Sequence, residues 1–90
     1  FEKLVSAYRD AGSRKLTEYA LLQILCTPPQ QQSSARAVGR ALREIDYIGL
    51  LEDGNLYVLL SCTDHAAGAL MQQKIEKLGV RTRVIEESEL

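Results

Sequence analysis

The stretch "REIDYIGLLEDGNLYVLLSCTD", residues 43–64, decides the fold. Two apolar runs, residues 47–51 and 56–62, are separated by Glu-Asp-Gly-Asn, which contains the Asp-Gly pair typical of a tight hairpin turn. The stretch therefore predicts a β-hairpin. Just before it, Arg43 and Asp46 stand three residues apart, where a predicted helix gives way to the first hairpin strand.

The segments on either side of the hairpin predict the other elements. Residues 18–26 form a nearly continuous apolar run, which predicts a short strand buried on both faces. Residues 27–34 contain two prolines and several polar residues and predict a loop, in which Ser33 or Ser34 caps the following helix. The remaining predicted elements are an amphipathic helix from Phe1 to about Gly12, a helix over residues 34–45, a helix from Thr63 or Asp64 to Gly79, an edge strand over residues 80–85 and a frayed acidic tail over residues 86–90.

The two helices that follow the first strand carry apolar residues at helical spacing. Lys74 interrupts this pattern, because it falls between the apolar positions of the last helix instead of opposite them. Two interpretations fit Lys74: its stem lies over the sheet edge with the ammonium in water, or its cation faces a phosphate. The predicted apolar positions are Ala35, Val38, Leu42 and Ile45 in the first of these helices, and Ala67, Leu70, Met71, Ile75 and Leu78 in the last.

The order of elements after the first helix is β-α-β-β-α-β. This order is typical of the ferredoxin-like α+β sandwich, an antiparallel sheet with both helices of the repeat on one face. We expect one such domain over residues 1–90, extended by the N-terminal helix. The chain starts without Met and within a helical pattern, so we expect it to be a piece of a longer protein. The fold hosts many unrelated functions and does not by itself assign one.

The composition is that of a globular protein and argues against several classes of function. Of the 90 residues, 46% are hydrophobic and 26% are charged. Lys and Arg number 11 and Asp and Glu 12, so the net charge is −1, without the basic excess of a protein that holds a DNA or RNA backbone. No apolar run is long enough to cross a membrane, and the first residues do not form a signal peptide. A basic site in this chain must therefore be local.

The two cysteines, Cys26 and Cys62, fall in or beside apolar strand-like runs. Their spacing matches no zinc motif, and one pair is thin support for a secreted disulfide framework. We interpret both as buried, reduced thiols, which indicates a cytoplasmic domain. A membrane segment before Phe1 could anchor such a domain to the inner membrane.

The sequence supplies little of the chemistry that an enzyme needs. Its one histidine, His65, falls in the first turn of the last helix, where an exposed residue is a simpler interpretation than a catalytic base. The sequence contains no Gly-rich phosphate loop, no cluster with metal-ligand spacing and no Ser/His/Asp set. Its carboxylates concentrate in the tail and the hairpin turn, where solvation accounts for them.

The pair formed by Arg43 and Asp46 has two interpretations. In the first, Arg43 complements the helix dipole at the end of its helix and forms an ion pair with Asp46. In the second, the pair recognises guanine, because an arginine fork donates to O6 and N7 and a carboxylate accepts from the guanine N–H groups. Arg40, one turn earlier, is a further candidate cation; Arg36, Arg81 and Arg83 are weaker ones, for which solvation or protection of the sheet edge is the alternative.

The chain resembles a GGDEF domain, the fold of diguanylate cyclases, from its first strand to its last. In that family an inhibitory site, Arg-x-x-Asp, lies five residues before the Gly-Gly-Asp/Glu-Glu-Phe hairpin turn. Here Arg-Glu-Ile-Asp (43–46) is followed by Tyr-Ile-Gly-Leu-Leu (47–51) and the turn Glu-Asp-Gly-Asn-Leu (52–56). The next run resembles the family's apolar strand, and Thr63 and Asp64 open the following helix.

The departures from the family concern catalysis. The turn lacks the paired glycines that admit a nucleoside triphosphate and the acidic pair used in metal binding and catalysis. Gln23 stands where the family's first strand ends in a metal-binding aspartate, and residues 27–34 replace a helix that contacts guanine and phosphate. Without ligands for two Mg²⁺ ions, nothing offsets the charge that develops in phosphoryl transfer. The resemblance therefore implies a domain that is not an enzyme and needs no metal or other cofactor.

The resemblance further implies a receptor. Degenerate GGDEF domains that keep Arg-x-x-Asp bind cyclic di-GMP, and some regulate exopolysaccharide export and biofilm formation. The implied contacts are Arg43 with the Hoogsteen edge of one guanine and Asp46 with its Watson–Crick side. Lys74, which falls at the family's second inhibitory-site arginine, and Arg40 would contact phosphates. The ligand, as a stacked pair or as a bridge between two protein copies, would bias the domain toward a neighbouring domain or a partner protein.

Two other functions compete with the receptor. In the first, the chain is a structural or protein-interaction domain without a nucleotide ligand, and Arg43 and Asp46 form only a salt bridge. In the second, it is an active diguanylate cyclase, which requires product from GTP and Mg²⁺.

Overall fold

The predicted hairpin forms one edge of a four-stranded sheet in the computed structural model, which describes residues 1–86. Its strands are β2 (Tyr47–Leu50) and β3 (Leu56–Ser61). In the turn, Gly54 adopts a left-handed φ of +77°, and its N–H donates to the Leu51 carbonyl at 2.9 Å. The other described elements are α1 (Glu2–Ser13), β1 (Tyr19–Leu25), a 3₁₀ turn (Pro28–Gln30), α2 (Gln31–Gly39), α3 (His65–Glu76) and β4 (Arg81–Val84).

The strands of this sheet are antiparallel neighbours in the order β2-β3-β1-β4. The central strand β1 aligns Leu22 with Val58 of β3 on one side and with Val84 of β4 on the other. Helix α2 connects β1 to β2, and α3 connects β3 to β4. This order and these connections are the ferredoxin-like α+β arrangement, so the predicted fold class is confirmed. The prediction that the last strand lies at an edge is confirmed as well.

The sheet is covered on both faces, by α2 and α3 on one side and by α1 on the other. Side chains alternate between the two faces along a strand, so β1 and β3 contribute to two separate clusters. All six residues of β3 are buried, as expected for a strand with helices on both sides. The buried residues are Leu22, Ile24, Val38, Leu56, Val58, Leu60 and Ile75 on the side of α2 and α3, and Val5, Leu21, Tyr57 and Leu59 on the side of α1.

Helix α2 begins earlier than predicted. Residues 27–34 are not a loop, because their two prolines start a 3₁₀ turn that leads directly into α2. Proline suits this place, since its fixed φ fits a first helical turn and its missing N–H is not needed there. The Thr27 N–H donates to Gln30 Oε1 at 3.2 Å, and this pair caps the segment instead of Ser33 or Ser34.

Helix α2 also ends earlier, at Gly39 and not at residue 45. Glycine is a poor helix former, and the bond that follows, from Ala41 N to Val38 O at 2.9 Å, is that of a turn. Arg43 and Ile45 consequently lie in the connection to β2 and not on the helix. Ile45 is 45% exposed, so its predicted place in the apolar stripe is wrong.

Helix α3 has the predicted cap but presents a different face to the sheet. Asp64 Oδ1 accepts a hydrogen bond at 2.8 Å from the backbone N–H three residues on, which confirms it as the cap. Ile75 is fully buried as predicted, whereas Leu70 is 67% exposed. Gly68 is buried instead, because the helix lies so close to the sheet that a Cβ there would be 3.3 Å from the Ala20 side chain. The residues turned toward solvent include Ala67, Leu70, Lys74 and Leu78.

The two cysteines are free thiols in different surroundings. Cys26 is partly buried against the core, in line with the prediction. Cys62 is exposed and has a left-handed φ of +50°, so the prediction of a buried thiol is wrong for this residue. The reason is that the chain leaves β3 at Cys62, where the alternation of the strand ends.

The C-terminal tail predicted over residues 86–90 lies outside the described residues, except for Glu86. Within the described range, no helix combines the length and the apolar character that crossing a membrane requires.

The face that α3 buries leads to a first prediction. Ile75→Ala should lower the free energy of unfolding by about 2–5 kcal/mol, because it removes a fully buried side chain from the core. Leu70→Ala, on the exposed side of the same helix, should change it by less than about 0.5 kcal/mol. Urea denaturation followed by circular dichroism measures both. Equal losses for the two variants would show that the described orientation of α3 is wrong.

Candidate functional site

The candidate site lies in the connection between α2 and β2. Here Arg43 and Asp46 close a tight turn, in which the Asp46 N–H donates to the Arg43 carbonyl at 3.0 Å. The Asp46 side chain forms a second bond to the same residue: its Oδ2 accepts from the Arg43 backbone N–H at 2.9 Å. The spacing of three residues between Arg and Asp is therefore what lets the two residues bond through both backbone and side chain.

The guanidinium of Arg43 forms a two-pronged ion pair with Asp46. Its Nε donates to Oδ2 at 2.9 Å and its Nη2 to Oδ1 at 2.8 Å. The same Nη2 reaches the end of β3, where it donates to the Ser61 carbonyl at 3.1 Å and to Thr63 Oγ1 at 2.9 Å. The arginine thus ties the α2–β2 connection to the end of the neighbouring strand.

Burial differs sharply between the partners of this pair. The Asp46 side chain is 0% exposed, whereas that of Arg43 is 44% exposed. Burial alone would raise the pKa of Asp46. The hydrogen bonds from the Arg43 guanidinium and backbone N–H, the arginine charge and the nearby Ser61 backbone outweigh burial, so the pKa of Asp46 is lowered. The hydrogen bond from Arg43 to Asp46 likewise raises the pKa of the guanidinium, and the pair is fully charged at neutral pH.

This geometry decides which atoms of the pair can face a ligand. Both carboxylate oxygens of Asp46 are bonded to Arg43, and the side chain has no exposed surface. The guanidinium uses Nε and Nη2 within the described chain, and Nη1 has no hydrogen-bond partner there. The predicted contact of Asp46 with a guanine therefore requires Arg43 to release the carboxylate, whereas Nη1 has no bond within residues 1–86 to give up.

The other predicted cations differ in their distance from this pair. Arg40 caps the C-terminus of α2, is exposed, and lies three residues before Arg43. Lys74 is exposed on α3 and follows Asp64 by ten residues, about 15 Å along the helix from the end that Arg43 contacts through Thr63. The structure thus brings Arg43 and Asp46 together with Arg40 close in sequence, but it does not bring Lys74 to Arg43.

The arginines proposed as weaker candidates occupy separate places. Arg36 is exposed within α2, and Arg81 is exposed on the edge strand β4. Arg83 donates from Nε and Nη2 to Oε1 of Gln23 on β1, at 3.3 and 3.0 Å. A structural role at the sheet edge accounts for Arg83 without a ligand.

Three residues that contribute to the site were not predicted as site residues. Ser61 and Thr63 supply the acceptors for Arg43 Nη2, and the Tyr8 hydroxyl bonds Ser61 Oγ at 2.9 Å. Ser61 and Thr63 are 2% and 1% exposed. The available signal was two polar residues at the end of an otherwise apolar strand, where buried hydroxyls need partners. Nothing in the sequence spacing connects Tyr8 to them.

The hairpin turn, which holds the catalytic residues in the cyclase family, is stabilised by its own side chains. Asp53 accepts from the Tyr57 hydroxyl and from the Asn55 N–H, and the Tyr57 bond lowers the pKa of Asp53. Gln31 Nε2, at the start of α2, donates to the Gly54 carbonyl at 2.8 Å. In residues 1–86 there is no group of three His, Cys, Asp or Glu side chains that could hold a metal ion.

A cavity of about 470 Å³ lies near the same end of the sheet as Arg43. It is bounded by the start of β1, the end of β4 and the first turns of α3, and its lining includes Tyr19, Thr63, His65 and Gln72. His65 is exposed at the rim, as the simpler interpretation of this residue expected. Arg43 itself does not line the cavity, but Thr63, which accepts from Arg43 Nη2, does, so the cavity adjoins the arginine site.

The described bonds predict that Arg43 contributes to stability. Arg43→Ala should lower the free energy of unfolding by about 2 kcal/mol, because it leaves the buried Asp46 carboxylate without its counter-ion, while the half-exposed arginine limits the loss. Arg36→Ala, which removes an exposed arginine within α2, is the matched control and should cost less than about 0.5 kcal/mol. Urea denaturation at neutral pH measures both; equal stability of the two variants would contradict the tie to β3.

The same pair predicts a pH dependence. Because the pKa of Asp46 is lowered in the folded state, its contribution is present above the unfolded value of about 3.9 and is lost as the pH falls through the folded value. The stability difference between wild type and Asp46→Asn should therefore shrink below about pH 4. Urea denaturation of both proteins from pH 7 to pH 2.5 measures it. A difference that stays constant over this range would exclude the charge of Asp46 as its cause.

Comparison with known proteins supports the fold. No protein family and no curated protein matches the sequence. The structure is similar to PelD 156–455 from Pseudomonas aeruginosa PA14 in its apo form, with a TM-score of 0.52 and 19% sequence identity. The match covers 90% of this chain and 39% of that chain. At this identity the similarity shows the fold that the two proteins share, and the chain corresponds to somewhat more than a third of the PelD structure.

Proposed function

We propose that this domain is a catalytically inactive GGDEF-like receptor that binds cyclic di-GMP at Arg43. The observation that carries the proposal is the fixed orientation of the Arg43 guanidinium, which bonds Asp46 through one edge, while its side chain is 44% exposed and Nη1 has no partner within residues 1–86. Two further observations support it. The Arg-x-x-Asp motif stands at the offset found in GGDEF domains, and the fold is similar to that of PelD. The ligand in this proposal, cyclic di-GMP, is the one that the resemblance to degenerate GGDEF domains with Arg-x-x-Asp implies.

In this proposal Asp46 orients the Arg43 side chain, and it contacts the ligand only if Arg43 releases its carboxylate. Arg43 Nη1 donates to a guanine O6 or N7, or to a phosphate oxygen, which are the acceptors that a guanidinium matches best. The buried carboxylate keeps the side chain from folding back, so little rotamer freedom is lost on binding. Arg40, at the end of α2, supplies a second positive charge for the phosphates.

Lys74 has a different role in the same proposal. At about 15 Å along α3 from the Arg43 end, it contacts a ligand that spans this distance or one held by a second protein copy. A stacked pair of cyclic di-GMP molecules or a ligand bridging two copies provides such a contact. The domain then relays binding to a neighbouring domain or partner protein in the cytoplasm, since only a ligand with different affinity for two states shifts the balance between them.

The absence of cyclase activity is part of the proposal. Gln23 bonds Arg83, and the turn around Gly54 is bonded by Gln31, so the places that bind metal in the cyclase family hold other contacts here. Incubation with GTP and Mg²⁺ should give no cyclic di-GMP, because phosphoryl transfer requires ligands for the metal ions. Chromatography of the reaction mixture measures the product, with an active diguanylate cyclase as positive control. Measurable turnover would overturn the assignment as a non-enzyme.

One alternative is favoured by a specific observation. Arg43 and Asp46 satisfy each other, and Ser61 and Thr63 complete the arginine's contacts, so a purely structural role accounts for all these bonds. Leu70 is also 67% exposed on α3, on a surface that a protein partner could cover. In this alternative the chain is a protein-interaction or structural domain without a nucleotide ligand.

Calorimetric titration with cyclic di-GMP separates the two functions. Wild-type protein should bind, and Arg43→Lys should bind at least about tenfold more weakly, because lysine keeps the charge beside Asp46 but lacks the planar fork and its Nη1. Arg36→Lys, which makes the same change at an exposed position, should bind like wild type. Lys74→Gln should weaken binding if the ligand reaches α3.

One outcome of the titration would exclude the receptor function. If folded wild-type protein gives no heat with cyclic di-GMP at tens of micromolar, the chain has no such function, and the structural alternative holds. Circular dichroism of each variant before titration establishes that a loss of binding is not a loss of fold.

A further inference from the structure

A continuous series of hydrogen bonds connects the N-terminal helix to Arg43. The Tyr8 hydroxyl of α1 bonds Ser61 Oγ at 2.9 Å. The carbonyl of the same serine accepts from Arg43 Nη2 at 3.1 Å and from Thr63 Oγ1 at 2.7 Å. The series thus joins α1, the end of β3 and the α2–β2 connection through one residue, Ser61, which is 2% exposed.

The Tyr8 hydroxyl reaches Ser61 because α1 is docked on the sheet. Tyr8 stands on the face of α1 that packs over Leu21 and Leu59, and its ring meets that of Tyr19 edge-on, with centroids 6.1 Å apart. At the other end of α1, Phe1 lies so close to Gly49 that a Cβ there would overlap its ring. Docking therefore places the Tyr8 hydroxyl at a defined position.

We propose that Tyr8, Ser61 and Thr63 are positioning residues for Arg43, and that the docking of α1 is thermodynamically coupled to the orientation of this arginine. The physical link is Ser61. When α1 leaves the sheet, the Ser61 hydroxyl exchanges the fixed Tyr8 partner for water, and the strand end that contains Ser61 loses both this bond and the cover of the helix. The Ser61 carbonyl and Thr63 Oγ1, which hold Arg43 Nη2, belong to that strand end.

The coupling has a consequence for signalling, and this consequence rests on the proposed function. Coupling free energies are reciprocal, so a ligand that fixes Arg43 must favour docked α1 to the same extent that docked α1 favours the ligand. Ligand binding would then change the fraction of molecules in which α1 has left the sheet, and this change would affect any segment joined to α1. Ser61 would thus take part both in holding the arginine that binds the ligand and in transmitting this binding to α1. The packing of the core would not change.

The coupling is tested on the ligand-free protein by hydrogen exchange of the Arg43 Nε–H, which nuclear magnetic resonance resolves from the backbone amides. Tyr8→Phe removes only the hydroxyl and should accelerate this exchange about fivefold, the effect expected for one partly buried hydrogen bond. Ser61→Ala should do the same, and the double variant should add nothing further, because both changes remove one bond. Tyr47→Phe, which removes a hydroxyl from a 41% exposed tyrosine, is the matched control and should leave the exchange unchanged.

Two results would overturn the coupling. In the first, Arg43 Nε–H exchange in Tyr8→Phe equals that of the Tyr47→Phe control. In the second, exchange rises by the same factor at Arg43 and at the slowest amides of β1 and β3, which reports global unfolding and not a local link. The measurement contains no nucleotide, so a chain that fails to bind cyclic di-GMP can still show the coupling, and failure of the proposed function is read separately from the titration.

Discussion

The bidentate bond between Arg43 and Asp46 is the interaction on which the arrangement of this end of the domain depends. A carboxylate with no exposed surface is stable as an anion only if donors surround it, and Arg43 provides three of them from one residue. The same guanidinium then satisfies acceptors at the end of β3. The burial of one charge thereby fixes the turn after α2, the start of β2 and the exit from β3 relative to one another.

This interaction limits how a ligand can use the motif. A guanidinium presents its five N–H groups in one plane. In this domain Asp46 takes the edge formed by Nε and Nη2, and Ser61 and Thr63 take the remaining N–H of Nη2. What is left for a ligand is the edge of Nη1, held in a fixed direction by the bonds behind it. A structural salt bridge and a binding site are therefore compatible functions of the same pair, because the salt bridge supplies the preorganisation that makes a single exposed edge selective. The full arginine fork becomes available to a base only if the ligand also replaces the carboxylate.

The parts of the fold that follow from local sequence were predicted, and those set by contacts between distant segments were not. The hairpin, the four strands and the Asp64 cap depend on turn residues and short apolar runs. The end of α2 and the buried face of α3 depend on contacts between distant segments. The hydrophobic pattern predicts Leu70 as a core residue, whereas the close approach of α3 to the sheet at Gly68 turns Leu70 outward. The motif at Arg43 and Asp46 was found from spacing. The contact from Tyr8 to Ser61 joins residues 53 positions apart, which no periodicity within one element indicates.

The two ends of β3 carry separate sets of contacts. The hairpin turn is at the Leu56 end of β3 and the Arg43 contacts are at the Ser61 end, roughly 17 Å apart along an extended strand. Between them, every residue of β3 is buried and paired with β1. Gln31 and Tyr57 hold the turn through bonds that do not involve the Ser61 end of the strand. Because the Arg43 contacts are assembled at the far end of the strand and on their own ion pair, their geometry does not depend on the contacts within the turn.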